Sequence, residues 1–452
     1  MSGPRQGVAG AGQPRASLSV IDGVAIMVGI VVGIGIFKTP PLVAASVGSE
    51  AAFIGAWLAG GAITLAGALV YAELAAAYPG TGGEYHFLVR AFGQSTGFLF
   101  AWARISVIQT GAIAAVAFVF GDYAQQIHGL GHRGAAIYAA LALVLLTLLN
   151  LAGTFHGKRV QTLFTAITLL AVLAVALAGL VGSAGAAAPE QAAADSPAVG
   201  SGAPGLALVF ILLTYGGWNE AAYLSAEVRD LRRDMVRILV FGTLAVTGVY
   251  VLVNLAFLQA LGLQALRTSE AVGADVMRHA LGAEAALALS AVICCAALST
   301  LNGTIFTGAR IYHALGQDMP PLRALGLWNG RGNNPRVAIL VQSAVALVLI
   351  GFGAVMQDGF RAMVEYTAPV FWFFLLLVGI AYFVLRRRDA GRERPFRAPW
   401  YPLKPALFCA ACAWLLYSSL VYTGLGALVG VAVLLLGVPF LVLVRRRMPP
   451  PG

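Results

Sequence analysis

The chemistry this sequence offers is a set of backbone polar groups freed inside apolar helices. Residues 23–40 read Gly-Val-Ala-Ile-Met-Val-Gly-Ile-Val-Val-Gly-Ile-Gly-Ile-Phe-Lys-Thr-Pro, apolar enough to enter a bilayer yet carrying Gly29, Gly33 and Gly35. Glycine in a helix interior costs about 1 kcal/mol relative to alanine. Close helix packing would account for Gly29 and Gly33, but it gives no use for Gly35. The spacing predicts an interrupted helix whose backbone faces a cavity. An interruption frees about four amides at one half-helix and four carbonyls at the other. The amides of Ile34, Gly35 and Ile36 would lie at a positive dipole end and suit a carboxylate. The carbonyl of Val31 would suit an ammonium group, as would those of Leu213 and Gly216 in a second interrupted stretch, Leu213-Thr214-Tyr215-Gly216-Gly217-Trp218-Asn219-Glu220. A ligand with both groups is an α-amino acid. Glycine lets it approach the backbone with no Cβ in the way.

Other chemistries find little support. The six histidines fall in loops or at span ends, and no phosphate loop, serine-nucleophile turn or carboxylate dyad is present. Cys409 and Cys412 have CxxC spacing without a second pair, and they read, with Cys294 and Cys295, as small apolar helix residues. No catalytic residue, metal or cofactor is expected. Two charges lie within apolar runs. Glu73 is expected to reach the interface or to pair with a loop arginine, the alternative being a proton-carrying role. Arg104 sits about 13 Å deep at about 1.5 Å per residue; it either snorkels to the surface or lines a polar pathway. Arg361 and Glu365 are spaced as a helix-end pair.

These groups need helices in a bilayer to position them. The chain is 59% apolar and 11% charged, against about 25% charged in soluble domains. Twelve apolar runs approach the length of a spanning helix, and strand-like alternation is absent, which argues against a barrel. The net charge of +10 reports topology and implies no nucleic-acid partner: with the N-terminus inside, 23 basic residues fall in inner segments and five, including Lys38, in outer ones. Both termini are therefore expected in the cytoplasm of a multi-pass plasma-membrane protein. The alanine, glycine and arginine bias points to a bacterial inner membrane. The expected organisation is a disordered N-terminus (1–16), a first block of five spans (17–183), an external loop (184–203), a second block of five (204–386), a cytoplasmic loop (387–402), two further spans (403–445) and a tail (446–452). Because five is odd, the blocks enter the membrane in opposite senses. Their first spans are the two interrupted ones, a pattern that points to a midplane site.

Several motifs carry a resemblance: Gly33-Ile34-Gly35-Ile36-Phe37, the Tyr71–Tyr85 block, Tyr215-Gly216-Gly217-Trp218-Asn219, Leu298-Ser299-Thr300-Leu301-Asn302-Gly303 and the Arg394–Pro402 lead-in to span eleven. In this order the chain resembles the amino acid–polyamine–organocation superfamily, nearest to bacterial relatives of the L-type amino acid transporters. The resemblance implies an all-α membrane protein of twelve helices with a LeuT-like 5+5 inverted-repeat core, broken helices 1 and 6, and alternating access. It implies the substrate carboxylate at Gly33, Ile34 and Gly35, the amino group at Val31, Leu213 and Gly216, and a pocket shaped by Trp218 and Asn219. Arg104, Thr168, Ser299 and Thr300 are coupling or pathway candidates. Thr168 stands where sodium-independent relatives carry a lysine, and Arg104 is a candidate substitute cation. Ile34 replaces a small residue, and Leu213 replaces a gating phenylalanine. Residues 124–134 hold no cysteine, so no disulfide-linked ancillary subunit is expected. The implied function is secondary transport of small-to-medium neutral L-amino acids by exchange or proton coupling, with H+ or a counter-substrate as partner and sodium not excluded. The alternatives are a cationic amino acid, amine or polyamine permease, or a non-transporting membrane sensor.

Overall fold

The computed structural model describes residues 19–78, 83–152, 158–182, 203–221, 234–318, 322–329, 334–421 and 424–447. The expected N-terminus 1–16, residues 184–202 of the expected external loop and the last five residues lie outside them. The helices in order are α1 (Val20–Val31), α2 (Thr39–Ala44), α3 (Glu50–Ala77), α4 (Gly83–Phe92), α5 (Gln94–Ala103), α6 (Gln109–Ile127), α7 (Gly134–Ala152), α8 (Lys158–Gly182), α9 (Ala203–Thr214), α10 (Trp218–Ala221), α11 (Asp234–Thr268), α12 (Val272–Leu281), α13 (Ala283–Asp318), α14 (Arg336–Gly353), α15 (Gly359–Arg388), α16 (Leu403–Val421) and α17 (Leu425–Arg447). The only β structure among the described residues is one bridge between Asn329 and Asn334. Among those residues nine helical stretches are long and apolar enough to cross a membrane, and three shorter apolar ones accompany them, Val20–Gly29, Ala166–Val181 and Gly205–Thr214.

Local chemistry explains where the helices begin and break. Ser19 and Asp22 form a capping box at α1, with the Ser19 hydroxyl accepting from the Asp22 amide at 3.3 Å and Asp22 accepting from the Ser19 amide at 3.1 Å. Ser49 caps α3 in the same sense. After α1 the chain extends at Gly33, winds through a 3₁₀ turn over Ile34–Phe37 and resumes as α2. Between α9 and α10 lie three turn residues, Tyr215–Gly217. Both expected interruptions are therefore present. A third irregularity was not foreseen: α5 and α6 are one rod joined by a π-helical turn over Arg104–Ile108.

The helices pack in two groups. In one, α11 lies against α1, α2 and α3, with α9 on α2 and α3, and α10 on α1. In the other, α6, α7, α13 and α14 pack on one another. α8 touches both groups, while α15 packs on α6, α16 and α17. Leu141, Leu145 and Leu148 on α7 and Leu170 and Leu177 on α8 face outward, as lipid-facing positions do. The end of α3 is clasped by α15 and the linker after it. The fully buried Glu73 accepts from Tyr382 at 2.7 Å, Arg386 at 3.0 Å, Arg394 at 3.3 Å and the Ala398 amide at 2.7 Å. Pairing with a loop arginine, the plainer expectation for Glu73, is what the structure contains. The expected Arg361–Glu365 pair is also present, at 2.9 Å.

Candidate functional site

The two interruptions meet. The Tyr250 hydroxyl of α11 lies 2.8 Å from the Val31 carbonyl and 3.0 Å from the Thr214 carbonyl, the last residues of α1 and α9. One hydroxyl proton thus serves two half-helix C-termini. A second tie joins the other limb: the Thr214 and Thr39 hydroxyls are 2.6 Å apart, and the Phe210 carbonyl accepts from Thr214 at 2.9 Å. With Thr214 donating to Phe210, its oxygen accepts from Thr39. Beneath these ties Trp57, Tyr215 and Tyr250 form an aromatic cluster with centroids 4.9–6.2 Å apart.

The glycines at the two breaks differ in kind. Gly217 has φ +105°, a region that penalises any residue with a Cβ. A Cβ on Gly216 would lie 2.8 Å from the Leu213 carbonyl oxygen, whose lone pair already receives the Gly216 amide at 3.1 Å. The second break needs glycine to fold. Gly33 has φ −110° and ψ −166°, extended backbone open to every residue, and the nearest protein atom to an added Cβ is the Val31 oxygen at 4.0 Å. At Gly35 the nearest is Thr214 Cγ2 at 3.4 Å, ordinary contact. The protein itself does not require glycine at 33. The 3₁₀ turn that follows has no side-chain cap, so its leading amides depend on other acceptors.

The remaining candidates are placed as follows. The Val31 carbonyl already accepts from the Gly33 amide at 2.9 Å as well as facing Tyr250. Ile34 is buried, whereas Leu213 and Gly216 are partly exposed. Trp218 is buried against Tyr71, with ring centroids 4.9 Å apart, and Phe408 at 6.2 Å. The Asn219 amide donates to Glu84 Oε1 at 2.7 Å, and Arg104 Nη1 lies 4.0 Å from Glu84 Oε2. Arg104 and Asn219 thus meet at one buried carboxylate, on α4, where Tyr71 also points, 3.5 Å away. The π turn sets Arg104 there. The Gln109 amide reaches back to the Arg104 carbonyl, the Ile105 carbonyl accepts from Tyr312, and the Ser106 carbonyl accepts from Tyr366 at 2.8 Å. Thr168 is buried on α8. Thr300 gives its hydroxyl to Ala296 at 3.0 Å within α13, and Ser299 beside it is half-buried. Neither Ser299 nor Thr300 has a hydrogen bond to the two breaks among the described residues. The Glu220 side chain lies outside them.

Sequence reasoning missed Tyr250, Thr39, Glu84 and the pairing of Lys38. The Lys38 ammonium is 2.9 Å from Asp122 Oδ2. No group of three or more metal-ligating side chains occurs among the described residues.

Comparison with known proteins follows the same line. The family model described as "Amino acid permease" matches residues 18–442. The chain is similar to the serine/threonine exchanger SteT of Bacillus subtilis, 26% identical over 92% of this chain and 95% of that protein. It is also similar to the b(0,+)-type amino acid transporter 1 of Mus musculus, 28% identical over 86% and 79% of the two chains. A third relative is the large neutral amino acids transporter small subunit 2 of Homo sapiens, 29% identical over 96% and 82%.

Proposed function

The chain belongs to the amino acid permease family, within the amino acid–polyamine–organocation superfamily, and from that premise we propose that it moves small-to-medium neutral L-amino acids across the bacterial inner membrane by alternating access. The single observation that carries this reading is the meeting of two helix interruptions at one tyrosine hydroxyl. Broken helices at matched positions are how transporters of this architecture hold a substrate at mid-membrane. In our reading the three short apolar helices join the nine long ones as twelve spans, arranged as two inverted blocks of five with two more, both termini cytoplasmic. The packing of α1, α3, α9 and α11 in one group and α6, α7, α13 and α14 in the other supports it.

The chemistry follows from the backbone. The substrate carboxylate lies on the uncapped amides at Ile34, Gly35 and Ile36, beside Gly33. Its ammonium takes the carbonyls of Val31, Leu213 and Gly216. Tyr250 offers one proton to the Val31 and Thr214 carbonyls, and an ammonium would bring three. Trp218 and Leu213 bound the side-chain pocket. Leucine in place of a ring favours smaller substrates, in keeping with the serine/threonine exchange named for the Bacillus relative. Coupling is by exchange or by H+, with Arg104 and Thr168 as the residues to examine, and sodium is the third ion to test.

Proteoliposomes loaded with or without unlabelled amino acid, given radiolabelled L-serine, L-threonine, L-leucine, L-arginine and putrescine, test the reading. Sodium and a pH gradient are varied separately. Serine, threonine or leucine uptake is expected, stimulated by internal amino acid or by an inward proton gradient. Uptake of arginine or putrescine alone would reject the neutral-substrate reading.

A further inference from the structure

The linker from α15 to α16 is fastened on one side and open on the other. Residues 386–404 carry seven basic side chains against Asp389 and Glu393. Four of the seven are engaged by the protein. Arg386 and Arg394 pair with the buried Glu73, Arg388 pairs with Asp389, and Arg392 donates to the Ala77 carbonyl at 2.6 Å. Tyr401 is held back against α15, with the Arg386 guanidinium 3.9 Å from its ring centroid and the Tyr382 and Phe383 rings at 6.3 and 5.8 Å. The other three, Arg387, Arg397 and Lys404, are in no ion pair among the described residues. Arg387 and Arg397 are exposed, and Lys404 is half-buried.

Trp400 and Lys404 stand on the open side. Trp400 is 72% exposed, and Lys404 Nζ lies 4.5 Å from its ring centroid. Trp400 has φ +60°, a left-handed conformation unfavourable for a bulky residue, yet most of its ring has no protein to pack on. Lys404 lies in the first turn of α16, which holds no acidic residue, so its charge sits uncompensated at the positive end of the helix dipole. Beyond it Leu403, Leu407, Trp414, Tyr417 and Val421 are exposed at helical spacing along one face of α16, a helix long and apolar enough to cross a membrane. Trp400 directly precedes this stripe, as tryptophans at a membrane–water boundary do. A soluble anion would leave the stripe uncovered, and a zwitterionic lipid would bring a cation of its own to Lys404. We propose that the lead-in and first turn of α16 bind an anionic phospholipid of the inner leaflet, its phosphate on Lys404 and Arg397, its glycerol against Trp400 and an acyl chain along Leu403 and Leu407. The choice of leaflet rests on the orientation proposed above; the binding itself does not.

The test titrates the full chain in detergent with dioleoylphosphatidylglycerol and, separately, dioleoylphosphatidylcholine, counting bound lipid by native mass spectrometry. Phosphatidylglycerol is expected to bind more tightly. Lys404→Gln and Arg397→Gln should each lower its affinity about fivefold, the contribution of one cation near an anionic membrane surface, and leave that of phosphatidylcholine within twofold. Lys404→Arg should keep the wild-type affinity. Arg133→Gln removes the same charge from an exposed position in another loop and should change nothing. Unchanged phosphatidylglycerol affinity in both Lys404→Gln and Arg397→Gln, or an equal loss in Arg133→Gln, would overturn the site. So would displacement of the lipid by millimolar glycerol 3-phosphate, which would make the ligand a soluble anion. Arg397 is exposed and outside any helix, so Arg397→Gln carries the test if Lys404→Gln fails to fold. Because lipid counting needs no uptake, a wild type that binds phosphatidylglycerol in this way but moves no amino acid would reject the transport reading and keep the lipid site.

Discussion

Gly33→Ala separates what the fold requires from what a ligand requires. The added methyl enters at φ −110°, ψ −166°, a conformation alanine adopts freely, with the nearest protein atom 4.0 Å away. Glycine-to-alanine changes at compatible backbone stabilise by about 0.4–1 kcal/mol, through the unfolded chain. The variant should therefore insert, and its Tm in detergent should be equal to or slightly above the wild type's. A substrate carboxylate seated on the following amides would meet the methyl instead. Losing or lengthening one hydrogen bond to a charged group costs about 1.5–3 kcal/mol, and 1.4 kcal/mol is about tenfold. KM for L-serine or L-leucine should rise by about tenfold to a hundredfold. The assay is initial-rate uptake into proteoliposomes alongside a thermal melt of the same preparation. Wild-type KM in a well-folded Gly33→Ala protein would refute the cradle. A collapsed Tm would refute the claim that the fold has no use for this glycine.

Other perturbations follow from the same geometry. Gly216→Ala puts a Cβ 2.8 Å from the Leu213 oxygen, so it should lower Tm as well as uptake; an unchanged melt would contradict the assignment of that glycine to folding. Tyr250→Phe removes the Tyr250 donor from the Thr214 carbonyl and leaves the Val31 carbonyl with the Gly33 amide alone, which costs about 1–3 kcal/mol in the absence of substrate. Because a substrate ammonium would replace the donor lost at the Val31 carbonyl, the rise in Tm on adding substrate should be larger in the variant than in the wild type, and a smaller rise would count against ammonium binding there. Glu73→Gln strands Arg394, 4% exposed, and Arg386, and breaking a buried pair costs about 3–5 kcal/mol; the melt should fall accordingly. Asp389 tests the pH dependence. The Tyr78 hydroxyl, with help from Arg388 and Arg90, holds its carboxyl below the usual carboxylate range. A depressed folded pKa gives stability that is present above the unfolded pKa of about 3.9 and lost only as pH falls through the folded value. Asp389 is therefore ionised throughout pH 5–8, and Asp389→Asn should not alter the pH profile of uptake over that window of roughly three units; a changed profile would place a titrating group in this clasp.

Much of the fold was legible because membrane helices announce themselves by composition. Glycine runs in apolar stretches have few purposes, which is why both interruptions could be located to within a residue or two. The ties between them were not legible. Tyr250 is one of 14 tyrosines and sits in an apolar helical run, ahead of the kink at Gly262, with nothing in its neighbours to single it out. Glu84 reads as a loop carboxylate until α4 buries it against Asn219. Lys38 reads as one of five outer charges until Asp122 is found across from it. The π turn left no mark at all: Arg104-Ile105-Ser106-Val107-Ile108 contains neither proline nor glycine. It is stabilised by Tyr312 and Tyr366 from two other helices, which take carbonyls that the wider turn frees. A single-residue expansion with such distant causes cannot be read from local sequence.

That turn bears on Arg104, which the sequence left between snorkelling and a polar pathway. Its guanidinium lies 4.0 Å from Glu84, 20% exposed against 8% for the carboxylate. A snorkelling arginine aims at the surface, whereas this one is aimed across the helix pair at the carboxylate that also holds Asn219. Asn219 is the second residue of α10, the half-helix that must tilt if the second broken helix is to open. On the alternating-access reading proposed above, Glu84 is therefore bonded on one side to an element that would move and on the other to a rod pinned by two tyrosines. Arg104 offsets the charge Glu84 would otherwise expose to the low-dielectric interior when Asn219 leaves. If α10 tilts during transport, this geometry would put the arginine's role in the opening step rather than in substrate contact. Arg104→Gln should accordingly lower the maximal rate of exchange more than it raises KM. A variant that raised KM while keeping the wild-type maximal rate would put the arginine in the binding pocket instead.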